Sequence, residues 1–125
     1  MISSRRLYAN SMEMFAGLQP DTKRSMLYIT QLIYIQSGLE SVFDQFEAIA
    51  IPSIRRHKGR LLLRVRPDKE AYIENSIEPP YEIHVVEFDS DKDFANFMED
   101  EERKRFLHLK EQSIRAAILI KGNKI

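Results

Sequence analysis

Residues 26–35 read MLYITQLIYI, and this decapeptide decides the fold. It is rich in β-branched and aromatic residues, the composition of a central strand. Side chains along a strand alternate between two faces. One set here is Leu27, Ile29, Ile33 and Ile35; the other is Met26, Tyr28, Leu32 and Tyr34. Both sets are largely apolar, so both faces of the strand need cover.

The following residues supply cover for one face. Leu39, Val42, Phe43, Phe46, Ile49 and Ala50 recur at helical spacing and predict an amphipathic helix. Pro52 is expected to kink or restart it, and Gly59 to end it in the left-handed conformation. Residues 60–66 (RLLLRVR) read as a second strand and residues 81–89 (YEIHVVEFD) as a third. The connection between them, residues 67–80, is long for a hairpin, and long irregular loops are more often functional than short ones. Ser90 has the place of an N-cap, with Asp93 in the capping-box position, before a helix through Phe94, Phe97 and Met98. The acidic run 99–102 marks a joint. A second helical piece bears Phe106, Leu107 and Leu109, and residues 116–121 (AAILIK) close the sheet before Gly122.

The order is βαββαβ, an α+β, ferredoxin-like arrangement. Right-handed crossovers set the last strand beside the first, which predicts a four-stranded antiparallel sheet of order 4-1-3-2. The two helical regions lie on one face. A second copy's sheet is the most economical cover for the other, so the expected partner is a homodimer mate through sheet-to-sheet packing, a dimeric α+β barrel. Residues 26–122 make the domain and residues 123–125 a tail. Residues 1–25 read as an N-terminal arm with a short helix, roughly 4 to 16, ended by Gly17 and Pro20. Its apolar residues are too interrupted for a secretory signal. A mitochondrial presequence fits Arg5 and Arg6 but not Glu13 and Asp21.

Composition excludes several functions. Lys plus Arg and Asp plus Glu are 19 each, so no net positive field exists to gather nucleic acid or an anionic membrane. The absence of cysteine excludes disulfides and thiolate chemistry and fits a reducing cytoplasm. No apolar run approaches the roughly 20 residues that span a bilayer. No Walker loop, G-x-G-x-x-G or G-x-S-x-G occurs.

Three stretches resemble the family called domain of unknown function 1330. His57-Lys58-Gly59-Arg60-Leu61-Leu62 is similar to its H-G-G-R-L-L turn. Pro79-Pro80 followed by Val85-Val86-Glu87-Phe88-Asp89-Ser90 is similar to its P-x-x-V-V-x-E-F-P-S stretch. Ile118-Leu119-Ile120-Lys121-Gly122 is similar to its closing V-L-V-E-G. The likeness covers roughly residues 26–122. It implies a dimeric α+β barrel, a superfamily that includes cofactor-free monooxygenases, haem-degrading enzymes and muconolactone isomerases, while the family itself has no agreed activity. The chain departs from the pattern at Lys58, at Ile77 where a tryptophan is usual, and at Glu99-Asp100-Glu101-Glu102, which lacks the tyrosine of S-P-E-Y.

Candidate chemistry lies on the strands. Arg60, Arg64 and Arg66 share one face by alternation, and guanidinium forks match carboxylates. Arg64, mid-strand, is the best candidate for an anion. The competing role for these arginines is to deter pairing at a sheet edge. Glu87 lies amid apolar residues; burial is expected to raise its pKa and make it the catalytic acid or base. The alternative is a structural pair with Arg64. Tyr28, Tyr34, Arg64 and His84 complete the ligand-binding set, though His84 points away from Glu87. His57 sits at a helix end, where a cation suits the dipole, and His108 on a solvated face. No metal is expected, because the three histidines are scattered. Asp89-x-Asp91-x-Asp93 copies the start of a calcium loop, but Phe94 stands where that loop needs glycine. No cofactor is expected. Two functions remain open: a small-molecule-binding protein acting as a cofactor-free enzyme on an organic or carboxylate ligand, or a non-catalytic dimeric structural or regulatory protein. A cavity with unmatched polar groups favours the first; a filled core with every carboxylate paired favours the second.

Overall fold

The computed structural model describes residues 26–125. The arm of residues 1–25 and its expected helix lie outside the described residues. The elements are β1 (Leu27–Ile35), α1 (Glu40–Arg56), β2 (Gly59–Val65), a 3-10 turn (Lys69–Ala71), β3 (Glu82–Phe88), α2 (Asp91–Met98), α3 (Glu101–Arg105), α4 (Leu107–Ser113) and β4 (Ile114–Gly122). The strands form one antiparallel sheet of order β2-β3-β1-β4, the expected order read from the other edge. The fold is ferredoxin-like.

Local chemistry accounts for the element ends. Ser90 Oγ accepts from the Asp93 amide at 3.1 Å and its hydroxyl donates to the Asp93 carboxylate at 2.9 Å, so α2 opens on a reciprocal cap. Asp100 caps α3 by accepting from the Arg103 amide at 2.9 Å. The same carboxylate takes Arg56 Nη2 at 3.1 Å and lies 2.8 Å from His57 Nε2, which ties the end of α1 to the start of α3. Burial raises its pKa, but the Arg103 amide, His57 and Arg56 outweigh that and hold it at about 2.

Three expectations are corrected here. Helix α1 does not restart at Pro52 but runs through it as one element. The left-handed residue after it is Lys58, at φ 60°, and Gly59 opens β2 instead. Glycine is required there by close approach: an added Cβ would lie 2.6 Å from the Phe88 ring and 2.7 Å from Ile54. The second helical piece is two short helices, α3 and α4, broken at Phe106.

The core lies between the sheet and the helices, in two clusters. Leu27, Ile29, Ile54, Val86 and Phe88 form one, with Leu61, Phe94 and Phe97 packed on it. Ile33, Ile35 and Phe43 form the other, with Tyr81 and Ile114. The opposite sheet face carries Tyr28, Leu32 and Tyr34 of β1, Ile83 and Val85 of β3, and Ile118 and Ile120 of β4; Tyr34 is buried and bonds Glu78 of the 67–80 connection, and Ile118 and Ile120 are exposed. Among the described residues no helix is long and apolar enough to cross a membrane.

Candidate functional site

The register puts polar side chains between the two apolar clusters. Arg64 pairs with His84, His84 with Gln31, and Gln31 with Leu119, a row that crosses the helix-facing side of the sheet. Above it α1 presents Glu47 from the middle of its buried stripe, Phe43, Phe46, Glu47, Ala50, Ser53 and Ile54. A cavity of about 120 Å³ opens at this level. Its apolar walls include Ile29, Phe46, Phe88, Phe94 and Phe97, and its polar groups are Gln31, Glu47, His84, Arg103 and Lys110.

A β-bulge decides which arginine faces this side. Arg60 pairs with Glu87 and Leu61 with Val86, but the next pair is Leu63 with Val85, so Leu62 is the extra residue. Alternation slips by one there. Arg60 therefore sits on the open face, whereas Arg64 and Arg66 turn to the helix side; the three do not share a face. Arg64 Nε donates to Glu82 Oε2 at 2.8 Å and Arg66 Nε to Glu82 Oε1 at 2.6 Å. His84 Nε2 also hydrogen-bonds Glu82 Oε2. Arg66 continues to Asp44 at 2.7 Å. Glu82 is fully buried at 0% exposure. Burial alone raises its pKa, but the bonds from His84, Arg64 and Arg66 outweigh this and hold it at about 2.

Glu47 is the contrasting carboxyl. It is 6% exposed and forms no hydrogen bond among the described residues; its Oε1 lies 3.8 Å from His84 Nε2. Burial raises its pKa from 4.5 to about 7, against the opposing pull of His84. Such a group exchanges a proton near neutral pH. Across the cavity, Arg103 is 6% exposed and its Nε has no partner among the described residues. Its Nη1 donates to Met98 O at 3.3 Å, and its guanidinium lies over the Phe97 and Phe46 rings at 5.0 and 5.8 Å. Burial lowers the pKa of Arg103 and, aided by the Arg103 charge, that of Lys110.

The residues singled out from sequence are scattered by this geometry. His84 lines the cavity; Tyr28, Tyr34, Arg64 and Glu87 do not. Glu87 sits on the open face, where it accepts from Tyr28 at 2.8 Å and Arg60 Nε at 2.9 Å. Those two bonds lower its pKa, overturning the expected rise, and its arginine partner is Arg60 instead of Arg64. Arg60 reaches Asp89 as well, at 2.7 Å. Tyr34 donates to the Glu78 carbonyl at 2.7 Å. No residue of the long connection 67–80 lines the cavity. Glu47, Glu82, Arg103 and Lys110 escaped the sequence reading. Glu47 alone left a clear sign: it lies four residues after Phe43, so it falls on the apolar stripe.

No family model matches the chain, and no curated protein matches it. Solved structures do. A protein of unknown function from Rhodopseudomonas palustris aligns with a TM-score of 0.71 at 12% identity, over 90% of this chain and 92% of that one. A nipsnap family protein of unknown function from Agrobacterium tumefaciens aligns at 0.59 and 20% identity, over 81% and 89%. A protein from Bacteroides fragilis described as dimeric, of unknown function and ferredoxin-like fold, aligns at 0.58 and 13%, over 79% and 96%. At these identities the likeness establishes the ferredoxin-like fold.

Proposed function

We propose that this chain is a homodimeric small-molecule-binding protein whose ligand occupies the cavity between α1 and the sheet, and that it acts without a cofactor by moving a proton through Glu47. One observation carries this reading: a cavity walled by aromatic and aliphatic side chains holds Arg103, buried with its Nε unpartnered among the described residues, and Glu47, buried with no contact shorter than the 3.8 Å to His84 among the hydrogen bonds and ion pairs of the described residues. Buried polar groups are ordinarily hydrogen-bonded. A protein whose polar core merely stabilised it would match these groups, as it matches Glu82. The cavity volume is near the roughly 150 Å³ at which an apolar cavity accepts a benzene-sized molecule, which limits the ligand to about one ring.

Dimerisation rests on the open sheet face and on the Bacteroides fragilis neighbour's description as dimeric. Ile118 is 42% and Ile120 52% exposed in the single chain. The narrower kinship with the domain of unknown function 1330 family, carried by the motifs around Gly59, Val85 and Ile118, belongs to this reading, as does a cytoplasmic location.

The test is a thermal-shift screen of neutral, acidic and basic single-ring compounds against the full chain and an Ala50→Leu variant. Ala50 lines the cavity, so the larger side chain fills it. Compounds that stabilise the wild type and lose their effect on the variant support the reading; a screen with no such compound refutes it.

A further inference from the structure

The charges around the cavity define its ligand further, on the premise that the cavity is the binding site. Glu82 is satisfied by Arg64, Arg66 and His84. That leaves Glu47, Arg103 and Lys110 as the charged groups lining the space. Two cations thus face one carboxyl whose ionisation is suppressed by burial. Neither Arg103 nor Lys110 forms an ion pair among the described residues, and the buried Arg103 Nε–H has no acceptor there. Arg103 is buried and Lys110 half-buried; an unpaired buried cation is costly, and a second cation beside it adds repulsion. The missing complement is negative charge in a body small and flat enough for the aromatic wall of Phe46, Phe88, Phe94 and Phe97.

We propose that the ligand is a single-ring organic anion, its carboxylate or enolate oxygen held by Arg103 and Lys110 and its ring against the phenylalanine wall. Glu47 then lies on the same cavity, placed to share a proton with the bound anion. A cation is the competing occupant, since single ligand atoms of Glu47, Glu82 and His84 lie within 4.8 Å of one another. It is disfavoured on two grounds. Both Glu82 oxygens already accept from arginine, and Arg103 and Lys110 would repel the ion from the same cavity.

The experiment compares benzoate with benzyl alcohol, which share the ring and are close in size but differ in charge, titrated calorimetrically into the full chain at neutral pH. Benzoate is expected to bind at least about tenfold more tightly, the worth of a charge-assisted hydrogen bond. Lys110→Met keeps the aliphatic stem and should erase the preference for benzoate over benzyl alcohol; Arg103→Gln should do the same, and Lys110→Met keeps the test decisive if the buried substitution unfolds the chain. Equal binding of the two compounds, or a benzoate preference that survives Lys110→Met, overturns the anion and leaves the cavity reading standing. Binding of neither compound defeats both. Zinc binding abolished by Glu47→Gln, without a benzoate preference, overturns the anion in favour of a cation.

Discussion

Glu47 and His84 meet across the gap between α1 and the sheet, the Glu47 Oε1 lying 3.8 Å from His84 Nε2. They stand between two apolar clusters that would otherwise form one continuous core. The same Nε2 hydrogen-bonds Glu82, whose charge Arg64 and Arg66 also compensate. One histidine thus links a carboxylate held ionised to a carboxyl poised near neutrality, and the cavity opens on the poised side.

The first prediction is a pH-dependent gain from Glu47→Gln. The folded-state pKa of Glu47 is raised from 4.5 to about 7. Its favourable contribution is therefore fully present below 4.5 and lost as pH rises through about 7. At pH 8 an ionised Glu47 costs the fold up to about 3 kcal/mol; of the groups that face it, the Glu82 carboxylate from β3 adds to that cost, while His84 from β3, Arg64 from β2, Arg103 from α3 and Lys110 from α4 oppose it. Urea unfolding at pH 5 and pH 8 should show the variant gaining on the wild type at the higher pH. An equal difference at both pH values contradicts the assignment.

Glu82→Gln should do the opposite. Its pKa is lowered to about 2, so its contribution is present above 4.5 and lost as pH falls through about 2. Removing the charge takes the buried partner from His84 and leaves Arg64 and Arg66 only the exposed Asp44, at a cost of about 3 kcal/mol near pH 7. Glu87→Gln should cost much less, about 1 kcal/mol, because its pair with Arg60 is partly exposed and Arg60 keeps Asp89. Comparable losses for the two variants would invert the assignment of buried and surface networks.

The open sheet face predicts a dimer in sedimentation equilibrium, with roughly 1,600 Å² or more buried in total. Ile118→Glu places a charge on that face and should give a monomer with unchanged far-ultraviolet circular dichroism. A wild type that is monomeric at every concentration removes the sheet-to-sheet pairing.

Gly59→Ala and Lys58→Gly should shift stability in opposite directions. The alanine Cβ would meet the Phe88 ring at 2.6 Å, an overpacking worth about 1–3 kcal/mol. Lys58, at φ 60°, carries left-handed strain of about 1 kcal/mol that glycine relieves. Thermal melts of the two variants decide this.

The fold was legible because β1 announces itself twice, by residue type and by apolar character on both faces, and because Ser90 and Asp93 carry their cap in the chain itself. The site was not, for three physical reasons. A bulge has no side-chain signature, so the slip at Leu62 that sends Arg60 to Glu87 and Arg64 to Glu82 is invisible until strands pair. The expected apolar stripe of α1 already held Phe43, Phe46 and Ala50, which the helix buries, but Glu47 among them is polar and does not register in a count of apolar spacing. Arg103 and Lys110 reach the cavity only because the chain breaks at Phe106 between α3 and α4, which sets two short helices over it.

The most direct measurement is carbon-13 methyl nuclear magnetic resonance of the full chain titrated with a single-ring compound retained from the thermal screen. Ile29, Ile33, Ile51, Ile54 and Met98 line the cavity, while Ile83, Ile118 and Ile120 lie on the open face. The expected result is saturable shifts confined to the first group. Shifts confined to the second group, or none that saturate, would contradict a ligand site between α1 and the sheet.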